Sequence, residues 1–208
     1  MRRTFTGLEV DAVRSNLERV REEIGADVAV LAAIKYVSAE ELPVLAEAGI
    51  ELVGENRVEA LVDKRAAHAD LFTWDFIGQL QSRKVKDVAA EVRLIHSVAS
   101  DSVLRKLEAN PAPEVLVQVN VAGEEGKEGI APAELGDFIA RCPVPVTGLS
   151  TMPPFTERAE DNRQHFAALA ELAGLHGLQR LSMGTTQDYR VAAEEGATIV
   201  RVGTALYD

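Results

Sequence analysis

The sequence predicts a single (β/α)8 barrel with an extra N-terminal helix, an α/β fold, on three observations. Eight apolar runs of strand length alternate with segments of helical period, at about 22 residues per unit. Val28 to Ile34 is a continuous apolar run without polar alternation, as expected of a strand covered on both faces in a parallel sheet, and Val115 to Val121 is the clearest strand of all. Eight such units favour a closed barrel over an open doubly wound sheet. At 208 residues the chain is shorter than the roughly 250 typical of this fold, so its loops must be tight.

The first helix is signalled by Thr6 and Glu9 at capping-box spacing, with Leu8, Val13, Leu17, Val20 and Ile24 forming a helical stripe. Gly25 ends it. After strand one, Val28 to Ile34, a second capping box at Ser38 and Glu41 opens a helix that runs through Ala48 and stops at Gly49. Strand Ile50 to Val53 then leads to helix Arg57 to Ala67, strand Thr73 to Ile77 to a short helix Lys84 to Ala90, and strand Arg93 to Ser97 to helix Asp101 to Ala109. Strand Val115 to Val121 precedes helix Pro132 to Arg141, and strand Val144 to Leu149 precedes the long helix Glu157 to Leu175. Strand Leu178 to Met183, helix Asp188 to Glu195 and strand Ala197 to Val202 close the series. No linker divides the run, so residues 1–208 are expected to form one domain.

Composition narrows the partners. The chain is 47% hydrophobic, enough for a full core. Its 33 acidic and 22 basic side chains give a net charge of −11, which repels phosphate backbones and anionic lipid alike. Neither nucleic acid nor membrane is an expected partner. Cys142 is the one cysteine, so no intrachain disulfide or cysteine metal cluster can form. The opening MRRTFTGLEV lacks the apolar stretch of a signal peptide, and no apolar run approaches the roughly 20 residues of a membrane span. A cytoplasmic protein is expected. His68, His96, His165 and His176 show no ligand spacing, so no metal is expected.

In such a barrel the ligand groups come from the C-terminal ends of the strands. Lys35 stands at the end of the first. A lysine there projects its amine into partly desolvated space, which favours the neutral form that attacks an aldehyde. The position also suits a surface lysine whose stem packs along the strand end. Strands seven and eight run into Ser182-Met183-Gly184-Thr185-Thr186 and Arg201-Val202-Gly203-Thr204. Hydroxyls and backbone N–H groups ahead of a helix make an anion nest, and barrels often bind phosphate after these two strands. Gly184 and Gly203 would let a ligand approach the backbone closely. Each segment alone also describes a glycine-containing loop that starts a helix. In Gly54-Glu55-Asn56-Arg57, Asn56 either caps the next helix or bonds a ligand ring. Gly78-Gln79-Leu80-Gln81 and His96-Ser97 end strands three and four, suiting rim polarity as well as ligand contact.

Eight strings in this order carry a resemblance: VLAAIK at 30–35, LVGENRVEAL at 52–61, FIGQLQSRKVK at 76–86, IHSV at 95–98, VQVNVAGEEGKEG at 117–129, GLSTMPP at 148–154, LSMGTTQDY at 181–189 and GATIVRVGTALY at 196–207. Together they resemble the YggS/PROSC family of pyridoxal 5′-phosphate (PLP)-binding barrels, which are similar to the N-terminal domain of alanine racemases. The resemblance implies that Lys35 carries PLP as a Schiff base. It assigns the phosphate to Ser182, Gly203 and Thr204, with Gly184 and Thr185 shaping the nest. Arg201 matches the arginine that faces the pyridine nitrogen, Asn56 a residue lining the pocket, and Met152 a loop beside it. Thr185-Thr186 stands where the family commonly has Met-Ser, keeping a hydroxyl at the second place. Asp75 replaces a common histidine, Arg83 an asparagine and Ala99 an aspartate.

An arginine facing the ring nitrogen leaves that nitrogen unprotonated, and the ring is then a poor electron sink. Racemisation also needs a second acid–base group on the opposite face, which the two-domain racemases take from a partner's second domain. This sequence ends at Asp208, just after strand eight. The expectation is therefore a monomeric carrier in PLP homeostasis that stores, buffers or delivers the cofactor to PLP-dependent apo-enzymes, as the resemblance also implies. The alternatives are a weak alanine racemase and a barrel that binds a sugar phosphate without PLP.

Overall fold

The computed structural model describes residues 4–208; residues 1–3, part of the polar N-terminal stretch, lie outside it. Helix α1 (Val10–Ile24) precedes β1 (Ala29–Ala33), α2 (Leu42–Glu47), β2 (Leu52–Glu55), α3 (Val58–His68), β3 (Thr73–Phe76), α4 (Val85–Ala89), β4 (Leu94–Val98) and α5 (Asp101–Ala109). There follow β5 (Val115–Gln118), α6 (Leu135–Ala140), β6 (Val146–Ser150), α7 (Arg163–Leu175), β7 (Arg180–Thr185), α8 (Tyr189–Glu194), β8 (Ile199–Val202) and α9 (Thr204–Tyr207). The strands pair in chain order into a closed barrel, as the alternation predicts. All pairs are parallel, and β1 meets β8 with Leu31 opposite Arg201, sealing it.

Period-two alternation sorts the strand residues into two layers. Leu31, Leu94, Leu116 and Ile199 form a small buried cluster, joined by Leu52 and Ile77. The larger core gathers residues of the opposite parity, such as Ala32, Val53, Ile95 and Val200, with the apolar stripes of the helices. Helix α1 buries Val13, Leu17, Val20 and Ile24 on one face. Each such side chain contributes about 2 kcal/mol. On β1 Ala33 shares the parity of Leu31, Lys35 follows two residues on in the turn past the strand end, and on β8 Arg201 shares the parity of Ile199. Alternation turns Arg201 inward on β8, and the turn after β1 places Lys35 at the C-terminal end of the barrel.

Several boundaries depart from the sequence expectation. Helix α1 starts at Val10, and its N-cap residue Glu9 makes no side-chain cap, so Thr6 and Glu9 do not form the expected box. Ser38 likewise makes no side-chain cap. Its expected partner Glu41 accepts the backbone N–H groups of Gly7 and Leu8 at 2.6 and 2.9 Å, fastening the N-terminal segment instead. Strands β2, β6, β7 and β8 begin two residues late because hydrophobicity reports burial, not pairing: Ile50 and Val144 are buried in the preceding loops. Strand β5 stops at Gln118, and Val119 instead makes an isolated bridge to Ile130. Helix α9, four residues long, is too short to show a period in the sequence.

Glycines set how closely two strand ends approach. A Cβ on Gly78 would lie 2.0 Å from the backbone oxygen of Asn56, which cannot move aside. Gly78→Ala is expected to lower unfolding free energy by about 3 kcal/mol. Gly174→Ala on α7 meets nothing within 4 Å and should raise it by up to about 1 kcal/mol. Urea midpoints check the pair, and equal midpoints would contradict the packing account.

Candidate functional site

A cavity of about 490 Å3 opens at the C-terminal mouth of the barrel. The end of β1 contributes Ala33, Lys35 and Tyr36, and the end of β2 contributes Asn56. Ile77, Gly78 and Gln79 follow β3, Met152 follows β6, and Thr185, Thr186 and Gln187 surround the end of β7. Arg201, Gly203 and Thr204 complete the wall from β8, with Phe5 and Tyr207 beside them.

Lys35 is half-buried, with its Nζ 5.1 Å from the centroid of the Tyr36 ring, a cation–π arrangement. Arg201 is 6% exposed. One terminal nitrogen donates to the Thr151 carbonyl at 2.6 Å, while its buried Nε has no protein partner. Burial lowers the Arg201 pKa to about 10, with the nearby Asp188 carboxylate acting the other way. The buried Oδ1 of Asn56 also lacks a partner. A buried unpaired donor or acceptor is costly. Both residues line the cavity, and each holds a buried hydrogen-bonding atom that no protein group satisfies.

The hydroxyl side is built around Asp188. Its carboxylate accepts the backbone N–H of Thr185 at 2.7 Å and the Thr185 hydroxyl at 3.1 Å. Gly203 N–H donates to Thr186 Oγ1 at 3.1 Å, so the Thr186 hydroxyl proton can serve a ligand oxygen. Thr186, part of the expected nest string but given no role of its own there, is therefore a wall residue. Its signal was the hydroxyl at the second place of Thr185-Thr186.

The structure brings Lys35, Asn56, Met152, Thr185, Arg201, Gly203 and Thr204 to one cavity. Two expected residues, Gly184 and Ser182, are not among its lining. Gly184, at φ +87°, faces helix α8: an added Cβ would come 2.5 Å from the Cβ of Ala192. Ser182 is fully buried inside the barrel, where its hydroxyl bonds His96 Nδ1 at 2.8 Å.

Ser182 belongs to a polar network. His96 Nε2 lies 3.0 Å from Asp75 Oδ2, and Asp75 also accepts Arg93 Nε and a terminal nitrogen at 3.0 and 2.6 Å. The carboxylate only accepts, so the imidazole proton sits on Nε2 and Nδ1 accepts from Ser182. The Ser–His–Asp order is familiar from hydrolases, but its serine is sealed in the core and offers no accessible nucleophile. Burial pulls the His96 pKa below its ordinary 6.5, against the opposing pull of Asp75. Burial would raise Asp75, but the hydrogen bonds from His96 and Arg93 together hold it below 3.8.

The linkage has a definite sign. The unfolded chain protonates its histidine more readily than the folded one, so stability falls as pH drops below 6.5 toward the folded value. The Asp75 contribution, present above 3.8, is lost at still lower pH as its folded value is crossed. Between pH 6.5 and the folded His96 value the loss is about 1.4 kcal/mol per pH unit. His96→Gln should remove that slope from urea titrations; an unchanged slope would assign it elsewhere.

Residues 8–208 match the family described as alanine racemase, N-terminal domain. The chain belongs to this family. Among similar family members, the pyridoxal phosphate homeostasis protein of Aquifex aeolicus is 42% identical over 195 residues, covering 85% of each chain. The protein of that name from Pseudomonas aeruginosa is 38% identical over 195 residues, covering 88% of this chain and 84% of its own. PipY from Synechococcus elongatus, solved with PLP bound, superposes with a TM-score of 0.83 at 30% identity, covering 94% of this chain and all of its own. Among the described residues no helix is long and apolar enough to cross a membrane. Among them, too, no three His, Cys, Asp or Glu side chains are grouped to hold a metal ion.

Proposed function

We propose that this protein binds PLP in the barrel-mouth cavity, covalently through a Schiff base on Lys35, and acts in PLP homeostasis by storing, buffering or delivering it. The observation that carries the reading is one cavity lined by Lys35 together with Arg201 and Asn56, whose buried Nε and Oδ1 have no protein partner. The names of the Aquifex and Pseudomonas relatives and the PLP-bound state of PipY support it. The residues fit the cofactor. Lys35 supplies the amine for its aldehyde, Arg201 Nε a donor for the ring nitrogen, and Asn56 Oδ1 an acceptor for the ring hydroxyl. Thr186 and Thr204 offer hydroxyls to the phosphate. When bound, the cofactor supplies an electrophilic aldehyde conjugated to a pyridine ring.

The chain's own groups favour carriage over turnover. A guanidinium only donates, so Arg201 holds the ring nitrogen as an acceptor and leaves the ring a weak electron sink. The Tyr189 hydroxyl is held by Glu23, and the Tyr207 hydroxyl lies 3.4 Å from the Ala33 carbonyl. Burial first, then the Glu55 charge, raises the Tyr207 pKa and keeps its phenol neutral. Neither tyrosine is set up as a second base. In this reading the protein is a cytoplasmic monomer whose partners are PLP-dependent apo-enzymes.

The deciding experiment saturates the protein with PLP and follows deuterium incorporation at Cα of L-alanine in heavy water. A carrier shows negligible exchange while retaining the cofactor through gel filtration. Exchange at an ordinary enzyme rate, abolished by Lys35→Ala, makes it an alanine racemase instead. Failure to retain PLP rejects both and leaves a barrel for another phosphate.

A further inference from the structure

We propose that the buried Glu55–Lys64 ion pair is a positioning device that sets the Lys35 amine for condensation with an aldehyde. The inference rests on the reading of Lys35 as the cofactor's lysine. Glu55 is fully buried and Lys64 is 7% exposed, and Lys64 Nζ meets Glu55 Oε2 at 2.6 Å. Taking two charges out of water is costly, and a purely apolar pair would fill the same volume without that cost.

Where the pair is attached shows what it does. Lys64 Nζ also donates to the Ile34 carbonyl at 2.7 Å. That carbonyl accepts the Val37 N–H at 3.0 Å, closing a four-residue turn with Lys35 and Tyr36 at its centre. The Ile34 N–H is bonded to the Gly54 carbonyl at 3.0 Å. The peptide groups flanking the Ile34 Cα are therefore gripped from the β2–α3 side, one by backbone and the other by the Lys64 ammonium. The other oxygen of Glu55 accepts the backbone N–H groups of Asn56 and Arg57 at 2.7 and 3.2 Å. One carboxylate thus joins the turn that carries Lys35 to the backbone of Asn56, another cavity residue. Neither charged group lines the cavity, so the pair acts through its neighbours.

The step it serves is a condensation. The neutral Lys35 amine attacks the aldehyde carbon, a C=N bond replaces C=O, and the oxygen leaves as water with the two amine protons. A turn that wanders by an ångström misplaces the attacking nitrogen without disturbing the phosphate hydroxyls across the barrel.

The test separates these two steps in the full-length protein. The double variant Glu55→Gln/Lys64→Met keeps the side-chain volumes and strands no charge, so it is expected to fold, which thermal melting verifies. Stopped-flow absorbance with PLP should show C=N formation slowed about tenfold or more. Affinity for 4′-deoxypyridoxine 5′-phosphate, which lacks the aldehyde, should match wild type. Lys64→Arg, which keeps the charge and can donate to both partners, should form the bond at close to the wild-type rate. An unchanged rate in the double variant overturns the proposal, as does equal weakening of aldehyde and analogue, which marks a merely structural pair. A Lys64→Arg rate as slow as the double variant's overturns it too. If wild-type Lys35 forms no such bond, the fault lies in the underlying cofactor reading.

Discussion

Lys35→Ala is expected to leave a folded barrel that no longer holds PLP covalently and binds it about a hundredfold more weakly, equivalent to about 2.7 kcal/mol. The lysine is half-buried at a strand end, with its Nζ 5.1 Å from the centroid of the neighbouring Tyr36 ring. Its removal should therefore change unfolding free energy by no more than about 1 kcal/mol. The proposed phosphate and ring contacts are separate from the amine, so residual binding is expected to persist at high PLP concentration. Titration by fluorescence quenching measures the affinity, and absorbance reports the linkage. A variant that keeps the absorbance band of a lysine Schiff base would move the covalent site away from Lys35.

Arg201→Gln is expected to weaken cofactor retention by about ten- to a hundredfold while leaving the melting temperature near wild type. A hydrogen bond from a charged donor is worth about 1.5 to 3 kcal/mol, and this donor is read as facing the ring. Folding is spared for a different reason. Burial lowers the arginine's pKa to about 10, so the folded protein already bears a desolvation cost for this charge. Replacing it with a neutral amide relieves that cost as it loses the 2.6 Å bond to the Thr151 carbonyl. Unchanged affinity on titration would remove Arg201 from the cofactor site; loss of folding would make it a structural residue.

Both residues were legible because strand position and alternation are sequence properties. Lys35 follows one apolar run and Arg201 lies in another, so strand end and parity place them at the barrel mouth. The eight-fold alternation likewise gave the closed barrel, although strand starts slipped wherever loop residues such as Ile50 and Val144 were buried for packing. Ser182 lies apart from the cavity lining for a related reason. It sits in a hydroxyl- and glycine-rich string at the right strand, but which hydroxyl reaches the ligand depends on where the strand ends. Strand β7 runs on to Thr185, which leaves Ser182 inside the barrel on His96. Gly184 shows the same limit: the sequence marks a close approach, and only the fold reveals that the partner is helix α8. The Glu55–Lys64 pair was invisible because its nine-residue spacing fits no helical or strand period and its third partner, the Ile34 carbonyl, lies far off in sequence.

The central claim is a covalent bond between one amine and one aldehyde, and chemical trapping reads it directly. The PLP-loaded protein is reduced with borohydride, digested, and its peptides weighed and sequenced by mass spectrometry. A phosphopyridoxyl mass on the peptide holding Lys35, and absent from Lys35→Ala treated alike, is the predicted result. The same mass on another lysine, or on none, would contradict the account.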